Sequence, residues 1–182
     1  MDFEVVQGDI AARSADALVN AAGTSLEMGS GVAGALRRTG GEELNDDATA
    51  NGLVDLGAVA VTDAYGLDGE YVIRAAAMPH YGDGQATEES IRAATRRSLE
   101  AADDRGCASL VIPALGCGVA GFNLRNGVAI IAEEIGDFEP DSLTDVTLIG
   151  YSDEEYETIG GSPRTFGPTK RHNRIRDGGI GG

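Results

Sequence analysis

Runs of two kinds alternate along this chain, and their alternation constrains its fold more than any other feature. Short apolar runs rich in β-branched residues predict strands, and longer runs with apolar residues on one face predict helices. We expect strands over residues 2–7, 16–20, 57–64, 70–77, 109–115 and 145–151. We expect helices from about 32 to 40, over 87–105, from about 124 to 135 and over 154–159. This order predicts one α/β sandwich rather than separate domains.

The helix over residues 87–105 has the clearest start and end signals. Thr87 can serve as its N-cap, and Glu88 and Glu89 follow in the first turn, where acidic side chains are favoured. Gly106 supplies the expected stop at the other end.

The charge of the chain is strongly acidic and unevenly distributed. Its 182 residues include 14 basic and 30 acidic side chains, for a formal net charge of −16. Five of the basic residues follow residue 160, so nine basic and 29 acidic side chains remain before it. Such a surface repels nucleic acid. Thirteen arginines and a single lysine, Lys170, on so acidic a chain lead to the hypothesis of a protein adapted to a salty cytoplasm.

Several function classes find little support in the sequence. No apolar run approaches the length of a membrane span, and the N-terminus has no signal pattern, so we expect a cytoplasmic, soluble protein. Cys107 and Cys117 do not suggest a disulfide framework, and His80 and His172 are too far apart for a zinc motif. We expect no metal and no cofactor, although the many acidic residues leave a carboxylate metal site open.

Residues 160–182 differ in composition from the rest of the chain. They are basic, rich in glycine and proline and poor in apolar residues, which predicts a disordered tail after a folded domain of residues 1–159. The alternative is an arm that binds nucleic acid through its positive charge.

Two nearly identical glycine-rich hexamers stand out, GSGVAG at 29–34 and GCGVAG at 116–121. Neither fits a dinucleotide fingerprint, because the first lies nine residues beyond its strand and the second lacks the acidic residue expected after the next strand. Neither has the Lys-Ser or Lys-Thr ending of a P-loop. One interpretation is structural, since tight turns need glycine for positive φ.

The other interpretation of the hexamers is anion binding. Each hexamer is expected to lead into a helix N-terminus, where free N–H groups and the helix dipole favour a negative group. The chain before residue 170 has no lysine, so backbone N–H groups would do much of any phosphate binding. Two such loops at the carboxyl ends of strands could hold a diphosphate between them.

Motifs in this order and spacing resemble the macro-domain family of ADP-ribose-binding modules. The resemblance covers roughly residues 4–156 and implies a three-layer α/β/α sandwich around a central mixed, mostly parallel sheet. The segments that carry it are GDI at 8–10, ALVNAAG at 17–23, GSGVAGAL at 29–36, YVI at 71–73, VIPALGCGVAGF at 111–122 and Tyr151.

The resemblance assigns roles to particular residues. Asp9 would accept a hydrogen bond from the adenine amino group, Ile10 would offer its backbone N–H, and Tyr151 would pack on the adenine. The rival interpretations are a turn or cap role for Asp9 and a half-buried strand end for Tyr151. The two phosphate loops would comprise Gly29, Ser30, Gly31 and Val32, and Gly116, Cys117, Gly118, Val119, Ala120 and Gly121. Cys117 could instead be a small space-filling residue.

The departures from the family pattern concern the distal ribose. Gly23 stands where the family usually has a second Asn, Ala33 where one hydrolytic branch has an Asp, and Ala120 where many members have an aromatic. Asn20, the first Asn, is kept. Weak catalytic candidates are Asn20 and Ser30, with His80 in a loop whose placement the sequence does not fix.

Three functions follow as alternatives. The chain could be a non-catalytic reader that binds ADP-ribose, free or on a modified macromolecule. It could be an enzyme that hydrolyses ADP-ribosyl bonds or deacetylates O-acetyl-ADP-ribose. It could be a general nucleotide-binding protein in which the glycine hexamers have another role.

Overall fold

The computed structural model describes residues 1–29, 31–80 and 83–160. The strands in these residues are β1 (Asp2–Gln7), β2 (Ala17–Gly23), β3 (Val59–Asp63), β4 (Tyr71–Met78), β5 (Ser109–Pro113) and β6 (Asp145–Gly150). The helices are α1 (Gly31–Gly40), α2 (Glu42–Ala50), α3 (Glu88–Asp103), α4 (Leu124–Gly136) and α5 (Asp153–Gly160), with a 3-10 turn at Ile10–Ala12. The predicted tail lies outside the described residues, except that Gly160 ends α5.

The six strands form one sheet in the order β1-β6-β5-β2-β4-β3. All neighbouring strands are parallel except β3, which pairs antiparallel with β4 at one edge of the sheet. The prediction of a central mixed, mostly parallel sheet is therefore confirmed. The parallel strands place their carboxyl ends along the same edge, where ligands of open α/β sheets bind.

Helices cover both faces of the sheet, because successive side chains of a buried strand point to opposite faces. On one face Leu36 of α1 and Leu44 of α2 pack in a cluster with Leu18, Val72 and Val111. The cluster on the other face joins α3, α4 and α5 to the sheet; it includes Ile91, Leu99, Val128, Ile131, Ile159, Val19, Ile73, Ile112 and Leu148. This arrangement confirms the α/β sandwich.

Helix caps set the ends of the elements around the site. Thr87 caps α3 as predicted, since its hydroxyl oxygen accepts a hydrogen bond from Ser90 N at 3.1 Å. The Ser90 hydroxyl accepts one in return from Thr87 N at 2.9 Å. Asn123 caps α4 through its side-chain oxygen, which accepts from Asn126 N at 3.1 Å.

Helix α2 is absent from the sequence prediction, which ended the preceding helix at Gly40 and Gly41. Gly41 precedes α2 with a φ of +94°, so a glycine separates the two helices. The apolar side of α2 is narrow, with Leu44 and Ala48 as its buried residues. No helix in residues 1–29, 31–80 and 83–160 is long and apolar enough to cross a membrane.

Candidate functional site

A cavity of about 450 Å³ opens at the carboxyl edge of the sheet. Its wall takes residues from the segments that end or follow β1, β2, β4, β5 and β6, together with one side of α1. Ten of the residues predicted for the site line it: Asp9, Ile10, Gly31, Val32, Gly116, Cys117, Gly118, Val119, Ala120 and Tyr151. Their contact with a ligand stays a prediction, and Ser30 lies outside the described residues.

Asp9 and Ile10 form a paired acceptor and donor at one end of the cavity. Oδ1 of Asp9 accepts a hydrogen bond from Ala11 N at 2.9 Å and caps the 3-10 turn. In the described part of the chain, Oδ2 of Asp9 and the backbone N–H of Ile10 make no hydrogen bond. The cap role and the predicted ligand role of Asp9 are therefore compatible, because they use different oxygens of one carboxylate.

The first glycine hexamer leads directly into α1. Gly31 begins the helix with a φ of +59°, a conformation that favours glycine, and both Gly31 and Val32 line the cavity. The first N–H groups of an α-helix have no partner within the helix and are available to an anion. Gly29 does not line the cavity.

Gly34, the third glycine of this hexamer, allows close packing behind the loop. A Cβ atom at Gly34 would lie 3.2 Å from the carbonyl oxygen of Gly29. The contact explains why the hexamer needs glycine at a position inside the helix, where glycine otherwise destabilises.

The second hexamer forms a compact turn between β5 and α4. Gly121 N donates to the carbonyl of Gly118 at 3.0 Å, and Phe122 N donates to that of Gly116 at 3.1 Å. Among the described residues, the N–H groups of Gly118, Val119 and Ala120 make no hydrogen bond. A Cβ atom at Gly118 would have no neighbour within 4 Å.

The second hexamer is followed by α4, which begins at Leu124 as predicted and is capped by the side chain of Asn123, so two residues separate the hexamer from the helix. The free donors of this loop therefore belong to the turn itself rather than to the first turn of a helix. Gly121 is a turn residue with a φ of +74° and does not line the cavity.

Cys117 lines the cavity, and its thiol is unreactive. It donates a hydrogen bond to the carbonyl of Leu115 at 3.3 Å. Burial, and secondarily the negative charge of Glu155, raise the pKa of the Cys117 thiol to about 12. A thiol that stays protonated at neutral pH is a poor nucleophile, so the geometry favours a space-filling role.

Tyr151 and Val119 stand at the open mouth of the cavity. Tyr151 is 71% exposed and Val119 is 70% exposed, so both have apolar surface that a ligand could cover. The backbone N–H of Tyr151 donates to Oε2 of Glu155 at 2.7 Å, which ties the residue after β6 to α5. A planar ring at this position can stack on an aromatic base.

Asn20 lies behind the cavity rather than in its wall. It is 0% exposed, and its two side-chain polar atoms have no hydrogen-bond partner in the described part of the chain. Its neighbour across the strand pair is Arg74, also fully buried, which donates to the carbonyl of Leu44 at 2.6 Å and to the hydroxyl of Thr62 at 3.1 Å. Asn20 is therefore not part of the cavity wall, although the next residues of β2, Ala21 and Ala22, line it, and its contact with a ligand stays a prediction.

The structure gives a physical reason for Gly23. A Cβ atom there would come within 3.0 Å of the carbonyl oxygen of Pro79, so the backbone leaves little room for a side chain. Ala33 is buried and outside the cavity wall, and His80 is exposed and outside it as well. In the described residues, no group of three His, Cys, Asp or Glu side chains could hold a metal ion.

Two charged residues of the wall are absent from the sequence prediction, Arg38 of α1 and Glu155 of α5. The spacing of Arg38 could have revealed it, because residues 31, 35 and 38 share one face of a helix. A local pattern could have revealed Glu155, because Ser152-x-x-Glu155 is typical of a helix start and Glu155 accepts from Tyr151 N only four residues away.

Comparisons with known proteins identify the family and agree with the fold. A family model described as Macro domain matches residues 19–131. An uncharacterized protein of Sulfolobus acidocaldarius is 38% identical over 157 residues, which cover 84% of each chain. An uncharacterized protein of Mycobacterium bovis is 37% identical over 153 residues, which cover 84% of this chain and 42% of the relative. This chain thus spans less than half the length of that relative.

Solved structures with the same fold contain nucleotide ligands. A macrodomain of Oceanobacillus iheyensis with ADP superposes with a TM-score of 0.78 at 25% identity, covering 86% of both chains. A macrodomain of Trypanosoma brucei in complex with ADP-ribose has a TM-score of 0.78 at 25% identity, covering 87% of this chain and 67% of that one.

Proposed function

Because the chain belongs to the macro domain family, we propose that it binds ADP-ribose or a related adenosine diphosphate in the cavity at the carboxyl edge of the sheet. The observation that carries the proposal is that two sets of unbonded polar groups belong to residues that line the same cavity. Asp9 and Ile10 offer an acceptor and a donor, while Gly118, Val119 and Ala120 offer three N–H donors.

The chemistry of an adenosine diphosphate fits these groups. The adenine amino group would donate to the carboxylate of Asp9, and a ring nitrogen would accept from the N–H of Ile10. The ring of Tyr151 would cover the base. The diphosphate would lie between the first turn of α1 and the turn at 116–121, both of which provide backbone donors for negative charge. Solved macrodomains with ADP and with ADP-ribose support this class of ligand by analogy.

Catalysis is the second candidate and has weaker support. The described residues of the wall carry no histidine, and their one cysteine is held as a thiol. Gly23 and Ala120 provide no polar side chain, and Asn20 is buried behind the wall. Hydrolysis of an ADP-ribosyl or O-acetyl-ADP-ribose ester would then depend on a water held by the substrate phosphates and the loop backbone. Incubation with an ADP-ribosylated protein should release no ADP-ribose within hours.

Calorimetric titration in molar KCl tests the binding proposal. ADP-ribose and ADP should bind clearly more tightly than AMP, because only the diphosphates reach both loops. Gly118→Val should abolish binding while the melting temperature stays near that of the wild type, since its side chain would enter open space that the diphosphate needs. Equal affinity for the three ligands, or full binding by the variant, would place the site elsewhere.

A further inference from the structure

Arg38 is an exposed arginine at the cavity that makes no ion pair among the described residues. Its neighbour Arg37 pairs with Glu42 at 2.6 Å. Of the residues described for the cavity wall, Arg38 is the one with a positive charge, whereas Asp9 and Glu155 are acidic.

The guanidinium of Arg38 is directed toward the first glycine hexamer. Side chains on a helix lean toward its N-terminus, and Nη1 of Arg38 lies 3.5 Å from the point where a Cβ atom of Gly34 would be. That same point is 3.2 Å from the carbonyl oxygen of Gly29. The guanidinium therefore lies beside Gly34 in the first turn of α1, where helix N–H groups are available to an anion.

A diphosphate brings negative charge into a wall that already contains two carboxylates. Backbone donors offset this charge only in part, because each provides a partial charge. A guanidinium matches the oxygen geometry of a phosphate and can donate two parallel hydrogen bonds to it. Building on the proposed function, we propose that Arg38 binds the ligand diphosphate beside the first glycine hexamer and sets the preference for diphosphates.

The test compares Arg38→Gln with Arg97→Gln, a matched control. Arg97 is an exposed arginine of α3, outside the cavity and without a hydrogen bond among the described residues, so both variants lose one positive charge. Arg38→Gln should raise the Kd of ADP-ribose and of ADP by the same factor, about tenfold. Adenosine, which has no phosphate, should bind as it does to the wild type. Arg38→Lys should fall between, because lysine keeps the charge and loses the paired donors.

Each result of the comparison has a definite meaning. Equal affinities in Arg38→Gln and Arg97→Gln would overturn the assignment, and so would a loss confined to ADP-ribose, which would put Arg38 at the ribose end. Inorganic pyrophosphate separates this assignment from the proposed function. If the wild type binds no ADP-ribose, yet pyrophosphate raises its melting temperature and not that of Arg38→Gln, the anion site stands and the proposed ligand is wrong.

Discussion

The carboxylate of Asp9 caps the 3-10 turn and, in the proposed function, also binds the ligand, so mutations of Asp9 can separate the two roles. Asp9→Asn keeps an oxygen for Ala11 N but turns an amide N–H₂ toward the adenine amino group, so ADP-ribose binding should weaken by about 1–3 kcal/mol. Its melting temperature should stay near the wild-type value, because asparagine caps as well as aspartate. Asp9→Ala should lose both binding and about 1 kcal/mol of stability. Calorimetry and thermal melts measure the two effects, and an Asp9→Asn variant with wild-type affinity would remove Asp9 from the adenine site.

Cys117 provides a pH-dependent prediction. Its thiol pKa is raised to about 12, chiefly by burial, so the reactive thiolate is scarce at pH 8 and becomes abundant only as the pH approaches 12. In a Cys107→Ser background, iodoacetamide should modify the folded protein at pH 8 far more slowly than the protein in urea. Rapid alkylation of the folded protein at pH 8 would contradict the burial of this thiol and reopen a chemical role for it.

At the scale of elements, α3 and α4 are joined by a buried carboxylate between two arginines. Glu134 accepts from Nη1 of Arg92 at 2.8 Å and from Nε of Arg96 at 2.7 Å. Its side chain is only 6% exposed, and its hydrogen bond is the largest cause of the raised pKa of Arg92. Glu134→Gln should therefore lower the free energy of unfolding by about 2 kcal/mol in urea denaturation. Glu100 is an exposed residue of α3, so the control variant Glu100→Gln should change the free energy of unfolding little. If both variants lower that free energy equally, the ion pairs of Glu134 do not stabilise the fold.

The helices and strands show how much of the fold could be predicted from the sequence. The apolar periodicity of the sequence predicted every strand of the described sheet. The cap at Thr87 could also be predicted, because its signal lies in a few neighbouring residues. Helix α2 was missed because its apolar side is narrow and two glycines precede it. The order of the strands depends on long-range packing, which a local pattern does not encode.

The candidate site also contains features that the sequence could predict and features that it could not. Backbone donors near the glycine hexamers could be predicted, since glycine spacing is a local signal. The burial of Asn20 could not, because it follows from Arg74 on the neighbouring strand and from the helices that cover both residues.

At the scale of the whole molecule, the excess of acidic side chains should make stability depend on salt. The first 160 residues carry 29 acidic and nine basic side chains, and their mutual repulsion opposes the compact state. We propose that the chain is adapted to high salt, so its melting temperature should rise steadily from low to molar KCl. A melting temperature independent of KCl would contradict the adaptation.

The same excess of acidic side chains should make the affinity for an anionic ligand increase with salt concentration. Repulsion between an anionic ligand and the acidic surface is screened by salt, since the Debye length falls from about 10 Å at 0.1 M to about 3 Å at 1 M. The affinity for ADP-ribose should therefore increase several-fold between these concentrations, while adenosine, which is uncharged, serves as the control. A decrease for ADP-ribose alone would indicate that local attraction at Arg38 and the loops outweighs the repulsion of the surface.

An NMR titration of the 182-residue chain with ADP-ribose in high salt tests the proposed binding site most directly. We expect the backbone amide signals of Ile10, Gly118, Val119 and Ala120 to shift as the ligand is added, because these N–H groups lack partners among the described residues. The amide of Arg97 on α3 should stay unchanged. Saturable shifts confined to residues away from the cavity, or no shifts at millimolar ADP-ribose, would contradict the assignment of this cavity as the ADP-ribose site.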